Sequence, residues 1–368
     1  MLGAVNRNII FISTFRESWC FVLNRVSIIG LYGGTDNVYD GQTIKTRIVA
    51  QEIEKKIGTD EVNRIDTFGW KKNPFKLFLN SIKSVCKSKN VIFMTDQGGI
   101  KVFPWLLVCT NWFFNITLHY VVVGGWLVPF LKKNRIITFF LKKIDNIFVE
   151  TTVMKSGLEE LGFKNVSLMQ NFKTLKPLSE KQLLCKHREP YSFCTFSRVM
   201  KEKGIEDAVD AVNQINAFYK RTVCRLDIYG AVDSNQVEWF DNLSKTFPKE
   251  INYCGVVPYD KSVDVIKNYY VLLFPTQFMT EGVPGTIIDA YSAGVPVIAS
   301  RWHSFTDVID DGITGIGYEI YNSELLIKMI KEAIQSPEKM MEMKKNCLKK
   351  ANQYLPEKAI GILLDKLS

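Results

Sequence analysis

Two acidic residues, Glu281 and Asp289, lie eight positions apart in a stretch that could bind a phosphorylated ligand. The apolar run 271–274 before them predicts a buried strand, Gly and Pro then mark a loop, and helical spacing begins at Thr286. Glu281 is therefore expected in the loop and Asp289 about one turn into the helix, at about 3.6 residues per turn. The unpaired amides and positive dipole end of such a helix favour phosphate.

The expected roles follow from this placement. A diphosphate bound to the backbone amides of Gly285 and Thr286 leaves both acids able to accept hydrogen bonds from hydroxyl groups, from a sugar on one side and a ribose on the other. Gly294 is suited to end the helix as a left-handed cap. The alternative is that Glu281 is a solvated loop acid and Asp289 only a partner of the helix dipole.

The segment EGVPGTIIDAYSAGVPVIAS, which begins at Glu281, resembles the glutamate–seven residues–glutamate signature of retaining glycosyltransferases of family 4. That family has the GT-B fold, two Rossmann-like domains facing each other across a cleft. Asp289 replaces the usual second Glu with a side chain one methylene shorter. The resemblance implies that Glu281 anchors the transferred sugar, that Asp289 contacts the ribose, and that Gly282, Val283 and Pro284 belong to the donor site.

Residues 197–205, SRVMKEKGI, resemble a second element of the same family. This segment contributes a basic pair, Arg198 and Lys203, across a loop between a strand and a helix. Two such cations can hold both phosphates of a nucleotide sugar and stabilise the departing diphosphate. The alternative is a solvated pair of charges, but both motifs occur in the family's order. The resemblance also implies that Gly230 and the backbone near Val257 border the donor.

The first half of the chain opens with a predicted strand at Val26 to Leu31, a glycine loop and a helix from about residue 44 to 56. The loop lacks a full GxGxxG pattern, which makes a dehydrogenase a weak interpretation. The resemblance places this loop at the cleft, where Gly41 and Gln42 are candidates for contact with the acceptor.

A second pair of glycines, Gly124 and Gly125, follows a strongly apolar strand and is a further candidate for the acceptor side. Many members of the family have a histidine near this place. The nearest histidine here is His119, which we expect inside the strand as a buried core residue.

The excess of positive over negative charge lies entirely in the first half of the chain. Residues 1–172 contain 22 Lys and Arg against 13 Asp and Glu, a net of +9, and the remaining residues have a net charge of zero. This asymmetry predicts an anionic partner, and without a nucleic-acid motif we expect an anionic membrane surface. Residues 70–90 contain no acid and six lysines: Lys71, Lys72, Lys76, Lys83, Lys87 and Lys89. Apolar residues of the same segment recur at spacings of three and four, which predicts a basic amphipathic helix; they are Phe75, Phe78, Leu79, Ile82 and Cys86. An ordinary helix with a solvated lysine face is the alternative.

The eight cysteines show neither a CxxC pair nor a cluster with histidine. They indicate buried apolar side chains in a reducing compartment rather than disulfides or a zinc site. We therefore expect a cytoplasmic protein, peripheral on the inner face of the cell membrane, with no metal and no cofactor beyond the nucleotide-sugar substrate.

The expected organisation is α/β, with five segments. They are an uncertain N-terminal extension (1–24), an acceptor domain (25–172), a linker (173–190), a nucleotide-sugar domain (191–355) and a helix that returns to the first domain (356–368). The resemblance implies transfer of a hexose, with retention, from a UDP- or GDP-sugar to a lipid-linked saccharide in surface polysaccharide biosynthesis. The alternatives are an inactive nucleotide-sugar-binding protein and a nucleotide-sugar epimerase or hydrolase.

Overall fold

The computed structural model describes residues 24–34, 41–183 and 188–367. The chain divides into two compact units. The first contains the described residues up to Asn171 and those from Pro356 onward, and the second is Phe172–Leu355. Of the expected N-terminal extension, only Asn24 is among the described residues.

The first unit contains a sheet of six parallel strands in the order β2-β1-β3-β4-β5-β6. The central strands are buried on both faces, which explains their continuous apolar sequences. The strands are β1 (Asn24–Gly30), β2 (Val62–Asp66), β3 (Ser88–Met94), β4 (Thr117–Val121), β5 (Asn146–Val149) and β6 (Val166–Leu168).

Helices supply the crossovers that parallel strands require. Those of the first unit are α1 (Gly41–Ile57), α2 (Pro74–Lys87), α3 (Phe103–Asn111), α4 (Leu127–Lys132), α5 (Arg135–Leu141) and α6 (Thr152–Glu160). Helix α1 begins at Gly41, so Gly41 and Gln42 are its first residues rather than part of the preceding loop.

The second unit repeats this architecture with a parallel sheet in the order β12-β11-β10-β7-β8-β9. Its strands are β7 (Tyr191–Phe196), β8 (Cys224–Tyr229), β9 (Ile251–Gly255), β10 (Val271–Phe274), β11 (Val297–Ser300) and β12 (Gly315–Tyr318). Its helices are α7 (Ile205–Tyr219), α8 (Val237–Ser244), α9 (Ser262–Ile266), α10 (Gly285–Ser292), α11 (Phe305–Val308), α12 (Ser323–Gln335) and α13 (Pro337–Ala351).

The chain returns to the first unit at its end. Helix α14 (Pro356–Leu364) is grouped with that unit and packs on α1, as the resemblance implied. Two six-stranded parallel sheets with their helices are the two Rossmann-like units of the GT-B fold, which confirms the predicted fold class.

The segment expected to be a linker packs on the second unit. The amide of Leu178 donates to the carbonyl of Ser292 over 2.9 Å, and Leu175 and Leu178 contact the core around α10. Leu183 lies against Gly294, which ends α10 in a left-handed conformation (φ 62°) as predicted. This segment therefore helps to hold α10 in place.

Helix α2 does not bury the apolar stripe that its sequence suggests. Its buried residues are Ser81, Ser84 and Val85, whereas Phe75 is 68% exposed and Phe78 is 36% exposed. All six lysines of residues 70–90 are exposed as well. The helix therefore presents both aromatic and cationic side chains to its surroundings.

Exposed apolar side chains continue onto two neighbouring helices. Trp105 of α3 and Ile136 and Phe139 of α5 are exposed, and α3 packs against both α2 and α5. No helix within the described residues is long and apolar enough to cross a membrane. These side chains consequently form a surface feature of the first unit.

Candidate functional site

The site in the second unit is built on two adjacent parallel strands, β7 and β10. The loops that follow them lie together because parallel strands end at the same edge of a sheet. Gly204 makes their approach possible, since a Cβ atom at this position would lie 2.0 Å from the carbonyl oxygen of Pro275. The amide of Gln277 also donates to the carbonyl of Glu202 over 2.8 Å.

This approach joins two of the predicted site residues. The Nζ atom of Lys203 pairs with the Oε1 atom of Glu281, and both side chains are mostly buried. The hydroxyl of Thr276 donates to the same carboxylate oxygen over 3.0 Å. Lys203 also lies 5.1 Å from the ring centroid of Phe278, within the range of a cation–π contact. The Lys203 cation and the Glu281 carboxylate are thus held in contact at the edge of the sheet where β7 and β10 end.

Arg198 occupies a more open position in the same loop. Its side chain is 53% exposed, and its nearest acid is Asp233, at 3.5 Å from Nη1. A Cβ atom at Gly230 would lie 1.8 Å from the carbonyl oxygen of Ser197, so glycine at this position lets the backbone approach the loop that carries Arg198. Val257 lies half-buried in the loop after β9.

Helix α10 begins at Gly285 with an open N-terminus. No side chain in the described part of the chain caps it, and its first turn contains no acid. The hydroxyl of Thr286 is buried and has no hydrogen-bond partner among the described residues. In the loop before the helix, Gly282 and Val283 are buried and Pro284 is half-buried. An anion bound here would find backbone amides and the positive end of the helix dipole.

Asp289 differs from the prediction of a freely accepting ribose ligand. Its side chain is buried, and Lys173 donates to both carboxylate oxygens over 2.6 and 2.7 Å. Burial raises the pKa of Asp289, and the charge of Lys173 opposes this shift. In this structure the carboxylate is therefore occupied by a lysine.

Lys173 is the residue of this site that sequence reasoning missed. A Cβ atom at Gly285 would lie 3.9 Å from its Nζ atom, so this cation also lies beside the N-terminus of α10. Its position in the expected polar linker carries no sequence signal of burial. Asp233 and Thr276, which contact Arg198 and Glu281, were missed as well, because these contacts join loops that are distant in sequence.

The candidates of the first unit lie at the corresponding edge of its own sheet. Gln42 donates from Nε2 to the carbonyl of Met94 over 3.3 Å. A Cβ atom at Gly41 would meet nothing within 4 Å among the described residues. Gly124 and Gly125 lie half-exposed between β4 and α4.

His119 is a core residue, as predicted. Its Nε2 atom lies 3.1 Å from Oδ1 of Asn90, and its Nδ1 atom accepts from Asn146 over 3.3 Å. Burial lowers its pKa to about 4, so the ring is neutral near pH 7.

The second unit thus combines three cations, an open helix N-terminus and a preformed acid. Such a set suits a diphosphate, because Arg198, Lys203 and the amides of α10 can neutralise its negative charge. A neighbouring group of the same ligand could donate hydrogen bonds from its hydroxyls to Glu281. No three His, Cys, Asp or Glu side chains among the described residues are grouped so that they could hold a metal ion.

Several solved structures share this fold. Alr3699/HepE of Anabaena, in complex with UDP and glucose, aligns with a TM-score of 0.71 at 12% identity, over 93% of this chain and 98% of that one. Sucrose-phosphate synthase of Thermosynechococcus elongatus gives 0.70 at 14%, over 93% and 97%. The pneumococcal O-GlcNAc transferase GtfA, in complex with UDP and GlcNAc, gives 0.58 at 18%, over 79% and 59%.

A family model matches the part of the chain that contains these residues. The model for glycosyl transferases group 1 matches residues 179–350, which include Arg198, Lys203, Glu281 and Asp289. A search of curated proteins found no match. The chain is therefore similar in fold to solved GT-B structures, and similar to the group 1 family over most of its second unit.

Replacing Lys173 by Met is expected to destabilise the second unit by about 3–5 kcal/mol, because it leaves the Asp289 carboxylate buried without its counter-charge. The unpaired acid would have a raised pKa in the folded state. The loss should therefore be small below about pH 4, where the acid is protonated in both states, and grow as the pH rises. Urea denaturation at several pH values measures it.

The double variant Lys173→Met/Asp289→Asn separates charge from packing. It should recover most of the lost free energy of unfolding and remove its pH dependence. Equal destabilisation of the single and double variants would contradict the buried ion pair as the cause.

Proposed function

We propose that this protein is a glycosyltransferase that moves a hexose from a nucleotide-diphosphate sugar to a lipid-linked saccharide, with retention of anomeric configuration. The donor binds the second unit and the acceptor binds the first. A role in surface polysaccharide biosynthesis, at the cytoplasmic face of the cell membrane, fits this pair of substrates. The observation that carries the proposal is the Lys203–Glu281 pair beside the open N-terminus of α10.

The diphosphate of the donor would replace the acidic side chains that now pair with the cations of the site. A diphosphate on the amides of Gly285 and Thr286 attracts Lys203 away from Glu281 and Arg198 away from Asp233. Glu281, released from its lysine, accepts hydrogen bonds from hydroxyls of the sugar. UDP is the favoured nucleotide, because HepE and GtfA are solved with UDP, and GDP is the alternative.

Transfer then requires one bond to break and one to form. The bond between the sugar's anomeric carbon and the diphosphate oxygen breaks, with the electron pair leaving on the diphosphate, which Arg198, Lys203 and the helix amides stabilise. The acceptor hydroxyl bonds to the same face of that carbon. Its proton passes to the departing phosphate oxygen, so the reaction uses neither a protein base nor a metal.

Asp289 has a modified role in this proposal. Its contact with the ribose requires the Lys173 side chain to share the carboxylate or to move toward the diphosphate. The proximity of Lys173 to Gly285 supports the second course, since the same cation can then serve the phosphates.

An inactive nucleotide-sugar-binding protein and an epimerase or hydrolase are the competing functions. A thermal-shift screen of UDP-, GDP- and ADP-sugars identifies the donor, because a bound ligand raises the melting temperature. Analysis of products with that donor then decides. Free sugar alone indicates a hydrolase, an isomerised donor an epimerase, and an unchanged donor a binding protein.

Glu281→Ala is expected to lower transfer by at least about a hundredfold, as loss of a positioned polar contact does. It should not weaken UDP binding, because it frees Lys203 for the phosphates. Single-turnover assays and calorimetry separate the two effects. Glu238→Ala, which changes an exposed glutamate on α8, is the control. Near-normal transfer by Glu281→Ala would end its sugar-anchoring role.

Arg198→Ala and Lys203→Ala should each weaken binding of UDP about tenfold to a hundredfold, the value of a hydrogen bond to a charged group. The loss should be larger for Lys203, which is more buried and whose removal leaves Glu281 facing the diphosphate unpaired. Calorimetry with UDP and GDP measures both. Lys249→Ala, at a position where the side chain is 89% exposed, should bind normally. Unchanged affinity in both variants would remove these cations from the donor site.

The first unit is expected to bring the protein to anionic vesicles in a flotation assay. Each lysine near such a surface contributes about 1 kcal/mol, screened over about 10 Å at 0.1 M salt. Replacing Lys71, Lys72, Lys76 and Lys83 by Gln should abolish flotation, as should high salt. Replacing four exposed lysines of the second unit, Lys245, Lys249, Lys339 and Lys345, should have little effect. If the unaltered protein fails to float at low salt, the lysines of α2 form only a solvated face and do not bind the membrane.

A further inference from the structure

The first unit contains a cavity of about 540 Å³ between α2 and α3. Its floor is formed by the buried side chains of Phe103 and Leu106, and its rim by the exposed side chains of Trp70, Phe75 and Val102. This volume lies within the usual range for a small-molecule site, about 300–1,000 Å³. The cavity is therefore large enough for a ligand and open to receive one.

The lining offers few groups to a polar ligand. Asp96 already accepts from the amides of Gly98 and Gly99, each over 2.9 Å, and the Ser81 hydroxyl donates to the carbonyl of Leu77 over 2.8 Å. Gln42, which donates to the carbonyl of Met94, and the hydroxyls of Thr67 and Thr95 also belong to the lining. A ligand held here gains chiefly by removing apolar surface from water.

The positive charges around the cavity favour an apolar ligand that carries an anionic head group. Lys71, Lys72 and Lys76 are exposed on the same short segment as the rim residues Trp70 and Phe75, and residues 70–90 contain no acid. None of these lysines forms an ion pair within the described ranges of the chain. An amphiphile with an anionic head and a hydrocarbon tail matches both the rim and the interior.

The location relates the cavity to the acceptor. It is lined by Leu31, Thr67 and Thr95, which follow the carboxyl ends of β1, β2 and β3, the edge at which parallel sheets bind ligands. Gln42, a candidate for acceptor contact, lines it too. We propose that this cavity holds part of the hydrocarbon chain of a phosphate-linked lipid acceptor, with its phosphate on the lysines of residues 71–76.

The proposal rests on the lipid-linked acceptor proposed above, but its test needs no glycosyl transfer. Binding of monomeric alkyl phosphates with four, six, eight and ten carbons is measured by calorimetry on the full chain, without donor. Affinity should rise up to about fourfold per methylene, as burial of each CH₂ predicts. Inorganic phosphate should bind far more weakly, and alkyl trimethylammonium ions of equal length should bind more weakly at low salt.

Val102→Trp tests the cavity itself, because an indole at the rim would fill the entrance. It should abolish the dependence of affinity on chain length while flotation with anionic vesicles stays as in the unaltered protein. Val237→Trp, at a similarly exposed valine of the second unit, should retain the full dependence.

Three results would overturn the proposal. They are affinity independent of chain length in the unaltered protein, an unchanged dependence in Val102→Trp, and an equal loss in Val237→Trp. Loss of flotation in Val102→Trp would instead assign the cavity to bilayer lipid. Because donor and acceptor are absent, each of these results leaves the glycosyltransferase proposal to its own assays.

Discussion

The close contact between Gly204 and the carbonyl of Pro275 determines the geometry of the second unit's edge. A side chain at position 204 would force apart the loops that follow β7 and β10, and the ion pair between Lys203 and Glu281 depends on their separation. Residues 78 positions apart in sequence are thereby held in contact. A backbone contact of no chemical interest in itself thus sets the distance between the groups proposed to carry the chemistry.

The three cation–acid pairs of this edge differ in their burial, and their burial predicts how readily each can yield to a ligand. Arg198 and Asp233 are separated by 3.5 Å with the arginine half-exposed, a pair of small net value that a phosphate can replace. Lys203 and Glu281 are more enclosed. Lys173 and Asp289 are almost fully buried, so separating them without a new partner costs most. The cost of separating an ion pair therefore increases from the exposed arginine to the buried lysine at position 173.

The sequence predicted those parts of the site that local patterns determine. The helix after Glu281 and its end at Gly294 follow from strand and helix spacing with glycine and proline between them. The loop bearing Arg198 and Lys203 was expected from the resemblance of residues 197–205 to a family element. The sequence could not predict which acid pairs with which cation, since such contacts depend on strand order. The burial of Lys173 is a case in point, because nothing in its neighbours distinguishes it from a solvated lysine.

Periodicity was also insufficient for α2. The spacing of Phe75 and Phe78 is typical of a helix that buries its apolar face, yet the structure places Ser81, Ser84 and Val85 against the sheet. Small side chains there let the helix lie close to the strands and turn its aromatic residues outward. Spacing alone defines an apolar stripe, whereas the surface that covers it is a property of the whole fold.

The pair formed by Lys173 and Asp289 also limits how this sequence can diverge. A mutation at either position alone leaves an uncompensated charge in the interior. A change at one position is therefore expected to need a compensating change at the other. The two positions form an evolutionary unit, and homologues of this chain are expected to keep or lose both together.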